Sequence, residues 1–257
     1  ERAINIVRSF GYRVALPEIN KSGTVWEIGA DNKTLIQPLT SIKGLGEKAV
    51  EQIITNRPFH TVEDLLFNDN VVYSKLNKKA LDVLTRSQAL TCLVDERFTG
   101  LKHFWSAVAV DRPKNEKKLL ENIDLYRDEG KFADTELIQY LTDLTGIYPL
   151  RMVIDDKMLA QFTKLKVPSI GEFDNKVKVC WFIPLEVIVK KTKHGKEYWI
   201  VRAIDNMSNT ADIKCWGVDP TRDIIKLNQP YMGKLDFDDT WGFSTRSLYH
   251  NFRCLEN

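Results

Sequence analysis

The string Ile42-Lys43-Gly44-Leu45-Gly46-Glu47-Lys48-Ala49 carries the most chemistry in the sequence. Glycines two apart let a chain turn sharply and bring bare amide N–H groups against an anion. A helix opening at Glu47 adds unpaired N–H groups and the positive end of its dipole. Lys43 and Lys48 flank the turn and can neutralise neighbouring phosphates, while Leu45 plugs the gap between two helices. Such a device holds a nucleic-acid backbone without reading bases. The string lacks the third glycine and preceding strand of a dinucleotide fingerprint, and the Lys-Ser/Thr of a P-loop. A plain helix–turn–helix corner uses the same residues, so the string alone leaves both readings open.

A second concentration of chemistry lies at residues 176–202, which hold seven basic residues against two acidic ones. Lys190, Lys191, Lys193 and Lys196 surround a predicted turn at Thr192-Lys193-His194-Gly195. Trp181, Tyr198, Trp199 and Trp216 lie on the strands beside it. Basic rims next to aromatic faces bind single-stranded nucleic acid by charge attraction and base stacking. A solvated hairpin tip above barrel-core aromatics explains the same pattern.

Residues for metal or covalent chemistry are sparse. Asp236-Phe237-Asp238-Asp239 is the only dense acidic cluster and reads as a turn; Asp155-Asp156 reads as a helix start. The histidines, at 60, 103, 194 and 250, are scattered, and the cysteines, at 92, 180, 215 and 254, include no Cys-x-x-Cys pair. A zinc site, a disulfide framework and a nucleophilic triad are therefore not expected. Neither is a repair nuclease or ligase, which would need a carboxylate cluster or a nucleophilic lysine motif.

Composition sets the outer bounds. With 43% hydrophobic and 28% charged residues among 257, the chain is ordinary globular protein of two or three modules, not disordered or collagen-like. A net charge of +2 excludes a histone-style polycation but permits local basic patches. No apolar run approaches a membrane span and no signal peptide opens the chain, so a reducing cytoplasm is the simplest location. The first residue is Glu, already inside the helical pattern Ala3, Ile4, Ile6, Val7, Phe10, which reads as a piece of a longer chain or a processed product.

The elements that must position these residues follow from periodicity. Extended runs at Thr24–Ile28 and Thr34–Pro38 form a hairpin. Helices are expected at Glu47–Thr55, after a Thr61 cap with Asp64 three residues on, and at about Lys75–Ser87. Residues 91–130 are the least patterned, with Asp111–Asn115 as a flexible connection. Further helices are expected near Glu116–Tyr126 and Asp134–Thr145. From Lys176 the period changes to two. Strands over Val177–Lys191, Glu197–Ile204 and Thr210–Trp216, a short helix at Asp219–Leu227 and a fourth strand at Tyr231–Phe237 predict an OB-fold β-barrel. The fold class is thus α+β, with a mainly helical region, residues 1–90, a connector, 91–175, and a barrel, 176–257.

The run Leu35–Val50, followed by Ile53, Ile54, Arg57-Pro58-Phe59, Asp64-Leu65 and Leu76-Asn77-Lys78-Lys79-Ala80-Leu81, resembles the helix-hairpin-helix region of the bacterial replicative DNA polymerase III alpha subunit (family C). Phe10–Asn20, completed by Ser22, is similar to a segment preceding that region in the family. Thr192–Val201, with Asp205 and Ile213–Trp216, resembles the family's OB-fold string. Two departures mark a divergent member and fit a phage-encoded copy. Gln88-Ala89-Leu90 stands where the family has Gly-Ala-Phe, and residues 206–209 replace a glycine-containing turn.

The resemblance implies the C-terminal, DNA-binding portion of a replicative polymerase. Residues 1–90 would end the fingers and grip primer–template duplex through Lys43, Gly44, Leu45, Gly46 and Lys48. The barrel would guide single-stranded template with Lys190, Lys191, Lys193, Lys196 and Trp199. Asn122-Ile123-Asp124-Leu125-Tyr126 stands where the family carries a sliding-clamp peptide, so Asn122, Leu125 and Tyr126 are the implied clamp contacts; an amphipathic helix end explains them equally, and Gln139–Leu144 is a weaker rival. Other replisome subunits are further implied partners. The family's palm carboxylates lie upstream, so this chain needs no cofactor itself and Mg2+ belongs to the parent polymerase. A stand-alone helix-hairpin-helix/OB accessory protein of replication or repair is the alternative, and a purely structural scaffold would bind no DNA.

Overall fold

The computed structural model describes residue 7, residues 10–207 and residues 209–255. The predicted opening helix falls largely outside the described residues, as does Ser208 of the 206–209 segment. The chain packs as two units, Glu1–Tyr148 and Pro149–Asn257, instead of the three segments expected. The connector fails as a segment because residues 91–148 have no core of their own. Leu93, Phe98, Phe104, Leu119 and Ile123 are buried in one cluster with Ile42, Leu45, Ile53 and Leu81.

In the first unit, strands β1 (Arg13–Ala15), β2 (Glu27–Ile28) and β3 (Thr34–Ile36) form a small sheet in the order β1-β3-β2. The Asp31 carboxylate accepts from the Lys33 and Thr34 amides at 3.0 and 2.8 Å, which closes the predicted β2–β3 hairpin. Helix α1 (Glu47–Asn56) buries Ala49, Val50 and Ile53 on one face. Helix α2 (Val62–Phe67) opens on the expected capping box between Thr61 and Asp64. Helix α3 (Lys78–Arg86) is capped by the Asn77 side chain and buries Ala80, Leu81 and Leu84.

The end of α3 shows what the Gln88 departure costs. The Gln88 amide donates to Thr85 O and the Ala89 amide to Leu84 O, a Schellman closure with Gln88 in the left-handed position at φ +65°. A side chain there is strained by roughly 1–2 kcal/mol. Gln88→Gly is expected to raise unfolding stability by about 1 kcal/mol, after the larger backbone entropy of glycine is subtracted. Urea unfolding checks this; a loss of stability would mean that the Gln88 side chain contributes more than its strain.

Residues 91–130, the least patterned in sequence, hold more structure than the one helix expected near Glu116–Tyr126. Helix α4 (Leu101–Trp105) runs into a π-helical turn at Ser106–Val110, and helices α5 (Glu116–Leu125) and α6 (Asp134–Thr145) follow. Arg112 of the expected flexible connection is buried. The pattern is unreadable in sequence because α4 and the π turn are buried on nearly every side, which removes the amphipathic signal.

The second unit begins with helix α7 (Asp156–Leu165), whose N-cap is Asp155, as expected. Phe162 of α7 stacks on Trp181 at 5.0 Å, so this part of the connector belongs with the barrel. The strands are β4 (Val179–Lys191), β5 (Glu197–Ile204), β6 (Thr210–Trp216), β7 (Tyr231–Lys234), β8 (Asp236–Asp238), β9 (Gly242–Arg246) and β10 (Phe252–Cys254), with a short helix α8 (Leu248–Asn251). Their order is β10-β7-β4-β5-β6-β9-β8, with β6 and β9 parallel. β7 and β8 are one extended run broken at Leu235: the first half pairs with β4 and the second with β9. A bulge between Pro184 and Glu186 bends β4. The sheet therefore curls into an OB-like half-barrel, and the chain is α+β.

The helix expected at Asp219–Leu227 does not form. Asp219 accepts from the Thr221 amide and hydroxyl, and buried Asp223 accepts from the Asp219 amide at 2.8 Å. These local side-chain bonds hold turns in place of helix.

Candidate nucleic-acid interface

The glycine turn sits at the start of α1. Ile42 and Leu45 are buried, and the Lys43 amide is spent on Leu144 O at 2.8 Å. Gly44 has φ +89°, so the fold itself demands glycine there. Gly46 is different. Its φ of −76° and ψ of 149° suit any residue, and a β-carbon would meet nothing within 4 Å. The amides of Gly44, Gly46, Glu47 and Lys48 have no acceptor among the described residues. They open on a cleft of about 730 Å³ lined by Gly44, Gly46, Lys48, Ser74, Lys75 and Lys79. Lys43 is exposed beside this cleft rather than in its lining.

The far wall was not assigned from sequence. Ser74 and Lys75 come from the turn before α3, Asn77 and Lys79 from its N-cap and first turn, and a β-carbon on Gly44 would lie 3.9 Å from Lys79 Cε. A signal existed: Lys78 and Lys79 occupy the first turn of α3, where cations oppose the helix dipole. Placing them there is favourable when an external anion stands in front.

On the barrel, Lys190, Lys191, Lys193 and Lys196 are exposed around the β4–β5 turn. Trp199 requires a correction. Its ring is partly buried against the core of Val201, Ala203, Ile213 and Cys215, and its Nε1 donates to Glu197 at 3.2 Å. Side chains alternate along a strand, so the neighbours of Trp199, not Trp199 itself, face outward. Tyr198 and Trp216 stack at 4.5 Å with 22° between their rings. Lys214 lies 5.4 Å from the centre of the exposed Trp241 ring. Farther along the same face, Arg202 pairs with Glu186 at 3.1 Å and Asp212 at 3.0 Å. Trp181 is buried in its stack with Phe162.

The implied clamp peptide is also placed differently. Asn122 is fully buried, and its Nδ2 donates to Ala107 O at 3.0 Å and Asp111 O at 2.5 Å. An amide spent this way is not presented to a partner. Leu125 is exposed, and Tyr126 packs partly against the core. The rival Gln139 lies on the outer face of α6 and donates to Asp143 at 2.8 Å. Most of the acidic run is strand β8 and not the expected turn: Asp236 pairs with Lys178 at 2.6 Å, and Asp238 closes the turn that follows by accepting from the Thr240 and Trp241 amides. No three ligating side chains converge on a metal position among the described residues.

Two helix N-termini facing one lysine-lined cleft over a glycine turn define a helix-hairpin-helix architecture, and residues 11–100 match the family model of the helix-hairpin-helix motif. The chain is similar to polymerases. It is 32% identical over 109 residues to the DNA polymerase III subunit alpha of Pseudomonas aeruginosa, covering 41% of this chain and 9% of that protein. The corresponding protein of Thermotoga maritima is 37% identical over 93 residues, 34% of this chain and 11% of that protein. The DNA-directed DNA polymerase of Bacillus phage SPbeta is 26% identical over 124 residues, 47% of this chain and 9% of that protein. The matches span only about a tenth of the length of these curated relatives. Motif and partial similarities together support a divergent C-terminal polymerase-like region.

Proposed function

We propose that this chain binds DNA without sequence specificity as part of a replicative DNA polymerase, gripping primer–template duplex at the glycine turn. The observation that carries this reading is Gly46: nothing in the fold requires glycine there, while a backbone phosphate approaching four unpaired amides would. Lys48, Lys75 and Lys79 would neutralise adjacent phosphates, with Lys43 assisting. The Tyr198–Trp216 stack, Trp241 and the lysines of the β4–β5 turn would carry single-stranded template. Nucleotidyl transfer and its Mg2+ would belong to the parent polymerase. A sliding clamp meeting residues 122–126 would have Leu125 and the exposed edge of Tyr126 to hold. Among the described residues no helix is long and apolar enough to cross a membrane, which is compatible with cytoplasmic work on DNA.

Fluorescence anisotropy on primed template, blunt duplex and single-stranded DNA across a salt series tests the reading. Primed template is expected to bind best, with log affinity falling linearly in log salt by about 0.9 per phosphate contact. Absence of binding to all three at low salt would overturn the reading and leave a protein-interaction module.

A further inference from the structure

Arg112 is only 4% exposed, and no carboxylate neutralises it among the described residues. Its guanidinium carbon lies 3.7 Å from the centre of the Tyr73 ring, and Nη1 donates to Tyr73 O at 2.9 Å. The buried Nε has no hydrogen-bond partner among the described residues. Burying a cation without a counter-charge is costly, so the contact it makes must matter. That contact is with the residue before Ser74 and Lys75, which line the cleft.

The loop is tied from other sides as well. Gln52 of α1 accepts from the Val72 amide at 2.8 Å, and Lys78 donates to Val110 O at 2.9 Å. Behind Arg112, Asn122 holds the Asp111 carbonyl. A continuous path thus runs from Asn122 through Asp111, Arg112 and Tyr73 to Ser74 and Lys75. Arg112 suits this task better than lysine, since its planar group stacks and donates at once.

We infer that Arg112 is a positioning residue for the cleft: by clamping Tyr73 it sets Ser74 and Lys75 opposite the Gly44–Gly46 turn, so that one more phosphate is held there. This rests on the DNA-binding reading above. The unpaired charge behind the loop further favours a polyanion in front of it.

The test uses the full chain with Arg112→Lys, Tyr73→Ala, Lys75→Ala and the double variant Arg112→Lys/Lys75→Ala. Each is titrated with primed-template DNA over a salt series, and its thermal unfolding is recorded. Arg112→Lys keeps the charge and removes the stacked fork. It is expected to lose about five- to tenfold affinity near 0.1 M salt and to flatten the log–log salt slope by about 0.9, as Lys75→Ala does. The double variant should bind no worse than Lys75→Ala alone, because both remove the same contact. Tyr73→Ala alters a half-exposed ring and carries the same test if Arg112→Lys fails to fold. A folded Arg112→Lys or Tyr73→Ala protein with wild-type affinity and slope, or strictly additive losses in the double variant, would overturn the inference. Failure of the unaltered chain to bind would instead overturn the DNA-binding reading.

Discussion

Gly46→Asp is expected to leave the protein at least as stable as the original while lowering DNA affinity on the order of 30-fold. The two effects have different causes. Gly46 is the N-cap of α1 at φ −76° and ψ 149°, with nothing within 4 Å of a β-carbon. Aspartate is a preferred N-cap whose carboxylate accepts from the first free amides, worth a few tenths of a kcal/mol over glycine. Those same amides are the proposed phosphate donors. The new carboxylate would both occupy them and face the phosphate with a like charge. A unit charge pair about 4 Å apart repels by roughly 1 kcal/mol in water and roughly 4 kcal/mol near a protein surface. A repulsion of about 2 kcal/mol, inside that interval for a turn open to solvent, corresponds to the 30-fold loss. Thermal unfolding and anisotropy on one preparation check both signs. Wild-type affinity in a folded Gly46→Asp protein would move the DNA site off the turn; Gly44→Ala could not distinguish the cases, since φ +89° makes it destabilising in any event.

What the sequence revealed and what it hid divide along the range of the interactions. The glycine turn, the Thr61–Asp64 capping box and the β2–β3 hairpin were legible because each depends on residue types at fixed short offsets. The Asn20 and Arg57–Phe59 segments were legible only through their resemblance to a family. The structure supplies the reason they travel together: Asn20 exchanges two 2.8 Å hydrogen bonds with the Phe59 backbone, and Arg57 donates to Ser22 O. The outward face of the barrel was not legible. Tyr198, Trp199, Ile200 and Val201 are all apolar or aromatic, so alternation marks a strand without saying which parity faces the core. Small partners decide it, since Ala203 and Cys215 leave room inside for Trp199. Arg112 and Asn122 look like solvent-facing polar residues in sequence, yet each is buried by partners distant in the chain.

The OB-like half-barrel depends on one buried carboxylate, and Asp205→Ala is expected to cost about 3–5 kcal/mol. Asp205 is fully buried at the end of β5. Its Oδ1 accepts from the Met207 and Asn209 amides at 2.9 and 2.8 Å. Its Oδ2 accepts from the Ser169 hydroxyl, the Gly171 amide and Asn209 Nδ2 at 2.9, 3.1 and 3.0 Å. Five donors converge on a single group, which closes β5 onto β6 although no glycine stands among residues 205–209. Truncation would strand donors without an acceptor, and each such buried group costs roughly 1–3 kcal/mol before water enters. Asp205→Asn should be nearly as harmful, because its NH2 group would face amide donors. The turn also fixes the register that pairs Trp199 with Cys215 and so brings Tyr198 against Trp216 on the outer face. Loss of hydrogen-exchange protection across β5 and β6, accompanied by weaker single-stranded DNA binding with the duplex affinity kept, is the expected signature. Unchanged protection in Asp205→Ala would show that strand pairing alone holds the turn, and the carboxylate would then be a consequence of the barrel rather than a cause.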